Sequence, residues 1–339
     1  MMARPAEIPR TLVVAGGRAP MRLDVFLAGH LAPEYSRSQA ARMIKTGHVK
    51  VNGATARAGA PVRPGDRIDL EPPTAIVDVA VHSNFASVTS VSLPILFSDD
   101  DLIVVNKPAG MVVHAAPGHP DSTLVDALLA QFPELSTMAE LDGVMRPGIV
   151  HRLDKGTSGV MVIARTPHAR TVLARQFKDR TVRKTYLALV RGIISADSMT
   201  IERPLGRHPT ERKRMSVRSA GGRDALTQIT VIGRYPPVGD DETGSTLVRA
   251  RPRTGRTHQI RVHLASIGHP CVGDPVYGGR RAGEFGRQAL HALAIGIEHP
   301  RTGEAMRFIA PLPADMTELL AARGLTAIDR AIEDWADMK

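Results

Sequence analysis

Arg146-Pro147-Gly148-Ile149-Val150-His151-Arg152-Leu153-Asp154-Lys155-Gly156-Thr157-Ser158-Gly159 is the stretch on which the reading of this chain turns. A short strand leads into it, and Asp154 follows in a turn rich in Gly, Thr and Ser. Such a turn exposes a side chain while leaving backbone N–H groups free to hold it. Taken alone, Asp154 reads as an ordinary turn former. Immediately downstream, Gly159-Val160-Met161-Val162-Ile163-Ala164 is an apolar run of buried-strand length. Thr166-Pro167 then supplies an N-cap and a first-turn proline for a helix running to about Phe177. Val182 to Val190 alternates as a further strand, with Lys184 and Tyr186 on one face.

Working outward, Ile95-Leu96-Phe97 and Leu102-Ile103-Val104-Val105 flank an acidic turn at Asp99-Asp100-Asp101 and predict a hairpin. Ser122 or Asp121 is expected to cap a helix carrying Leu124, Ala127 and Leu128. Thr257 is expected to cap another, with Ile260, Leu264 and Ile267 on its apolar side and Gly268 at its end. Strands and helices mix without regular alternation, so residues 94–325 are expected to form an α+β domain around a mixed or antiparallel sheet. No GxxxxGK[ST] or GxGxxG phosphate loop is present.

The N-terminal part has its own pattern. Residues 1–20 read as a loosely ordered lead-in. In 21–72, Leu23, Phe26, Leu27 and Leu31 fall at helical spacing, and Ser36 with Gln39 forms a capping box for a second helix ended by Gly47. That helix leaves Arg37, Arg42 and Lys45 to solvent or a ligand. His48-Val49-Lys50-Val51 alternates into an Asn52-Gly53 hairpin turn, and Pro64-Gly65-Asp66 turns into Arg67-Ile68-Asp69-Leu70. Two small helices and a few short strands make one compact α/β module. Residues 73–93 read as a linker and 326–339 as a C-terminal tail.

Forty-four Lys and Arg against 34 Asp and Glu leave a net charge of +10 over 339 residues. An arginine-rich excess of that size points to a polyanionic partner, nucleic acid first. The single cysteine, Cys271, excludes an intrachain disulfide and a cysteine-based zinc cluster. His258, His263 and His269 stand close in sequence without metal-ligand spacing, so no metal is expected. The first residues lack an apolar signal-peptide core, and no apolar run approaches the ~20 residues that cross a bilayer. A cytoplasmic location and no membrane partner are expected.

The N-terminal module resembles the S4 RNA-binding domain through Arg22-Leu23-Asp24, Ser36-Arg37-Ser38 and Gly47-His48-Val49-Lys50-Val51-Asn52-Gly53. That resemblance implies that Arg37, Arg42, Lys45 and Lys50 face RNA. His151 to Gly159 resembles the HRLDK(x)(T/S)(S/T)G signature of the RluA family of pseudouridine synthases. The similarity continues through Asp101 to His114 with its Asn106-Lys107-Pro108 turn, through Val182 to Val190, and through Gly255-Arg256-Thr257-His258-Gln259-Ile260-Arg261-Val262-His263. Gly273-Asp274-Pro275-Val276-Tyr277-Gly278 and Leu290-His291-Ala292 follow in the family's order.

The family resemblance implies an isomerase that converts uridine to pseudouridine in RNA without a cofactor. The reaction breaks the N1–C1′ bond, turns the uracil and joins C5 to C1′. It needs a nucleophile or base beside the anomeric carbon, and an aspartate, ionised in free solution at neutral pH, can be either. Asp154 is therefore expected to be the catalytic carboxylate. A closed pocket disfavours a carboxylate unless a guanidinium faces it. Arg261, in the first turns of its helix, is assigned that pairing, and Arg256 is assigned to phosphate. Tyr186 is expected to stack on the uracil, with its hydroxyl available to help remove the C5 proton. Arg152 is expected to enter the RNA stack vacated by the extruded base. Lys107 and the basic loop bearing Arg207, Arg212 and Lys213 are expected to contact RNA backbone.

Within the resembled family, the S4 pairing implies 23S ribosomal RNA or a precursor of the large ribosomal subunit as partner, and the likeness at Pro33-Glu34-Tyr35-Ser36-Arg37-Ser38 and Arg207-His208-Pro209-Thr210 implies the helix 69 stem-loop as target. The protein is expected to act as a monomer. Two rivals are a synthase acting at other 23S sites and a non-catalytic rRNA-binding factor for ribosome assembly.

Overall fold

The computed structural model describes residues 11–15, 21–31, 37–70, 93–114, 122–136, 138, 147–211, 214–217, 219, 221–237, 243–279 and 285–324. The expected linker, apart from residue 93, and the expected tail lie outside these residues, as do Ser36, Arg212, Lys213 and the side chains of Gln39 and Arg42.

The N-terminal module holds two helices, α1 (Leu23–His30) and α2 (Arg37–Lys45), against short strands. Four strands form its main sheet in the order β1 (Thr11–Val13), β6 (Arg67–Leu70), β3 (Val49–Val51) and β4 (Ala54–Thr55). β2 (Met21–Arg22) pairs with β5 (Pro61–Val62). Leu23, Leu27, Ala40, Ile44, Val49 and Ile68 form a core confined to this module. The Asn52-Gly53 turn carries positive φ at both positions, as a tight two-residue hairpin between twisted strands requires. One expectation is corrected: the lead-in is not wholly loose. Thr11–Val13 pairs antiparallel with Arg67–Asp69, and the Thr11 hydroxyl donates to Asp69 at 2.8 Å. Three residues are too few to show a period, so only their distant partner reveals them.

The second domain is built on a nine-stranded mixed sheet. Its order is β11 (Ser198–Glu202), β14 (Leu226–Tyr235), β15 (Ser245–Pro252), β10 (Arg183–Arg191), β16 (Leu290–Glu298), β9 (Ser158–Ala164), β8 (Leu102–Lys107) and β7 (Ile95–Ser98). β17 (Ala305–Ile309) pairs with the other half of β16. All pairings are antiparallel except β16 with β9, which meet at Ala292 and Gly159. At Gly159, φ is +119° and an added Cβ would lie 2.2 Å from the Ala292 carbonyl oxygen. Only glycine lets the two backbones approach there.

Among the described residues, four helices flank this sheet: α3 (Leu124–Gln131), α4 (Pro167–Asp179), α5 (Gln259–Ser266) and α6 (Ala314–Ala321). A hairpin of β12 (Gly206–Arg207) and β13 (Met215–Ser216) stands off it. β9 is buried along its whole length, and α4 starts at Thr166, whose hydroxyl accepts from Ala169 N. Two caps differ from expectation. Thr123, not Ser122 or Asp121, caps α3, and Asp126 closes a capping box with it. Thr257 does not cap α5. That helix begins behind His258 in left-handed conformation, and the Gln259 side chain makes the local bonds.

Candidate active site

Asp154 stands in the turn before β9, and the turn is fastened from beneath. Thr157 N donates to the Asp154 carbonyl at 3.0 Å, and the Thr157 hydroxyl accepts from Gln288 Nε2 at 2.9 Å. Arg287, forked onto Asp315, donates to the Gly156 carbonyl at 3.2 Å. Lys107 lies fully buried under the turn and donates to the carbonyls of Pro108 (2.7 Å), Met111 (2.9 Å) and Lys155 (3.3 Å). Three acceptors match its three protons. Burial pulls its ammonium down to about 7, Arg287 adds to that, and Asp154 opposes it. The expectation that Lys107 contacts RNA is therefore corrected: it has no surface to offer and braces the turn instead.

The Asp154 side chain keeps 21% of its surface. Arg261 Nη1 donates to its Oδ2 at 3.0 Å, and His258 Nε2 stands 3.9 Å from Oδ1. Arg261 is itself gripped by Asp274, which is wholly buried, through Nε at 2.7 Å and Nη2 at 2.8 Å. Its guanidinium carbon also lies 5.2 Å from the centre of the Tyr277 ring. Burial opposes the charge on Arg261, but the Asp274 fork, and Asp154 after it, hold its pKa above the ordinary arginine value. Burial likewise opposes ionisation of Asp274. The Arg261 fork and the N–H groups of Tyr277 and Val276 reverse that and keep it below the carboxylate range.

Helix α5 is pinned so that Arg261 points inward. Gln259 Nε2 donates to the Leu226 carbonyl and to the Thr227 hydroxyl, both at 3.0 Å, and its Oε1 accepts from Thr254 and Arg256 N. His263 contacts the Arg203 carbonyl through Nε2 at 3.0 Å, so that nitrogen carries the proton and Nδ1 accepts from Thr227. A second chain reaches Asp154 from the hairpin. Met215 N donates to the Tyr277 hydroxyl at 2.9 Å, and that hydroxyl is left to donate to His258 Nδ1, also at 2.9 Å. The His258 Nε2–H then faces Asp154. Burial holds the His258 pKa below its ordinary value, against the pull of Asp154.

Asp154, Arg261, His258, Tyr186, Lys184, Arg152 and Arg256 line one cavity of about 450 Å³. Such a space accepts a nucleoside with part of its backbone. The Tyr186 phenol is pushed up by burial and by Asp154, so it stays protonated; it can stack and donate, but it is no phenolate base. Lys184, on the same strand face, donates to the Thr254 carbonyl at 3.3 Å, and burial lowers it to about 8, with Arg180 adding to the shift.

The sequence-predicted residues divide clearly. Asp154, Tyr186, Arg261, Arg152 and Arg256 meet at one cavity, with Arg152 exposed at its wall and Arg256 donating to the Asp224 carbonyl at 3.2 Å. Arg207 is exposed on the hairpin. In the N-terminal module Lys45 is exposed and Lys50 half-buried, while Arg37 donates to Asp24 at 3.0 Å. Three residues escaped role assignment from sequence: Asp274, buried behind Arg261, and at the cavity His258 and Lys184. The parity of Lys184 with Tyr186 was a usable signal for the last. Among the described residues no group of His, Cys, Asp and Glu could hold a metal ion, and no helix is long and apolar enough to cross a membrane.

Comparison with known proteins sets this geometry in a family. A family model for RNA pseudouridylate synthase matches residues 101–266, and one for the S4 domain matches 21–68. The chain is 44% identical over 300 residues to the uncharacterized RNA pseudouridine synthase YlyB of Bacillus subtilis, covering 88% of this chain and 93% of that protein. It is 40% identical over 334 residues to the ribosomal large subunit pseudouridine synthase D of Pseudomonas aeruginosa, covering 95% and 96%. Among solved structures, human RNA pseudouridylate synthase domain containing 1 superposes with a TM-score of 0.56 at 30% identity, covering 73% of this chain and 96% of that one. With its mixed-sheet catalytic domain and N-terminal S4 domain, the chain belongs to the RluA family of pseudouridine synthases and is an RNA-modifying isomerase.

Proposed function

We propose that this enzyme isomerises uridines of 23S ribosomal RNA, within the helix 69 stem-loop, with Asp154 as the catalytic carboxylate. The observation that carries the reading is the Asp154–Arg261 pair at 3.0 Å, backed by buried Asp274, at the wall of a nucleoside-sized cavity. A binding protein has no use for a partly buried carboxylate whose counter-ion is held from behind. Asp154 supplies the electron pair at the sugar–base junction as N1–C1′ breaks. Arg261 orients it and offsets its desolvation. Tyr186 offers the detached uracil a face to stack on and a phenolic hydrogen bond; on joining C1′, C5 loses its hydrogen to water, and N1 takes one up from water.

Chemistry and likeness together support the target. A base must leave its stack to reach Asp154, which costs about a few kcal/mol and least where it is unpaired. Loop uridines meet that condition. The Pseudomonas aeruginosa relative carries the large ribosomal subunit in its name, and the similarity spans both domains. The test is to incubate unmodified 23S transcript with the enzyme and map pseudouridine base by base. Modification confined to the helix 69 loop supports the assignment; modification elsewhere in 23S RNA alone overturns it.

A further inference from the structure

The catalytic sheet has two working faces, and only one holds the pocket. On β10, Tyr186 and Ala188 face α5, since Ala188 shares a core with Ile260 and Leu264. Leu187 and Leu189 face the other way and pack with Met316 and Leu320 of α6. Arg183 has the parity of Leu187, so it stands on the α6 face, beyond the apolar cluster that the helix covers. Its register partner on β16 is Gly296, and Arg307 of β17 lies opposite the same glycine from the other side. Both arginines are exposed, and Gly296 between them has no side chain. They border a cavity of about 950 Å³.

The lining of this cavity is one-sided in charge. Arg180, Arg183, Lys184, Arg251, Arg253 and Arg307 contribute to it, against Glu298 as the one acid among the described residues. Arg180, Lys184 and Arg253 also line the catalytic cavity, so the two linings share three basic residues. Guanidinium groups gathered in one concavity suit phosphate, which they bind in a fork.

We infer that this arginine-lined cavity is a second RNA-binding surface, which carries the phosphate backbone of substrate RNA outside the stem-loop held at Asp154. The inference rests on the RNA-modifying reading of the pocket and extends it: the loop is selected at one face, and flanking rRNA is gripped at the other. Phosphate contacts fix register and orientation without reading sequence. The surface therefore raises affinity for long RNA and leaves the chemical step alone.

The test is the double variant Arg183→Ala/Arg307→Ala, which touches neither Asp154 nor its partners. Release of tritium from uracil C5 is followed on the isolated helix 69 stem-loop and on a long 23S transcript, across a salt series. On long RNA, KM should rise about tenfold at unchanged kcat, and the slope of log affinity against log salt should fall by about 1.5, as for two lost phosphate contacts. On the stem-loop alone, KM should stay within about twofold of wild type. Arg183→Lys/Arg307→Lys should restore the slope, which a structural role tied to guanidinium geometry would not allow. Filter binding of the same RNAs gives the slope without turnover, so an error in the target would not mask the result. An unchanged slope on long RNA overturns the inference. So does a truncation after Gly324 that alone strengthens binding, since the occupant would then be the chain's own acidic end, with Asp329, Glu333, Asp334 and Asp337.

Discussion

Arg261 gives two of its nitrogens to Asp274 and a third to Asp154, and that division of labour orders the site. Asp274→Asn should leave Arg261 charged and poorly held. Breaking a buried pair from one side costs about 3–5 kcal/mol, so the denaturation midpoint should fall. kcat should drop on the order of 10²-fold, as when one preorganised electrostatic contact is lost, with KM little changed. A variant with wild-type kcat would show that Asp274 does not position the pair. Lys107 makes the opposite prediction. Lys107→Met strips three carbonyls of a fully buried donor and should destabilise by roughly 3 kcal/mol, while RNA affinity measured by filter binding stays at the wild-type value. At this scale Asp154, Tyr186 and Arg261 were legible through motif order. Lys107 was misread because sequence shows a charge but not whether the strand beneath the turn buries it. Asp274 was quoted in its motif without a role, because its partner lies thirteen residues away across a bend that only the fold makes.

The elements were easier to read than their ends. Thr166-Pro167 opened α4 as expected, and the acidic turn at Asp99 to Asp101 joined β7 to β8. Caps failed where a competitor stood one residue away: Thr123 with Asp126 in place of Ser122, and left-handed His258 in place of Thr257. β1 was missed because its reason to exist is β6, more than fifty residues on. The parallel contact between β9 and β16 carries a pH dependence. His291 Nε2 contacts the Ala310 carbonyl at 3.2 Å, so it holds the proton, and Nδ1 accepts from Ser158 at 2.9 Å. Burial lowers its pKa to about 4, and Arg287 adds to the shift. The unfolded chain titrates near 6.5, so between these values it binds the proton that the folded protein refuses. The His291 contribution is complete above pH 6.5 and is lost as pH falls through 4. The urea midpoint should thus fall more from pH 7 to pH 5 in wild type than in His291→Gln. Equal falls would contradict the burial argument.

Across the whole molecule, the two domains keep separate cores. The S4 domain closes on residues between Val14 and Leu70, and the catalytic domain on clusters drawn from Leu93 to Leu320. Every residue around Asp154 comes from the second. Removing residues 1–72 should therefore raise KM for RNA, with kcat kept within a few-fold; loss of all turnover would show that the S4 domain takes part in the chemistry. The excess of ten positive charges, read from composition alone, foretold a polyanion, but not its distribution. Strand pairing is what sets arginines beside the pocket and behind it. The central claim is that Asp154 does the chemistry while phosphate contacts supply the affinity. It is tested most directly with C5-tritiated 23S transcript, wild-type enzyme and Asp154→Asn, reading label release and RNA binding on the same samples. The account predicts release by wild type only, with affinities within about threefold, since affinity lies in the backbone contacts. Release by Asp154→Asn at a comparable rate would contradict it.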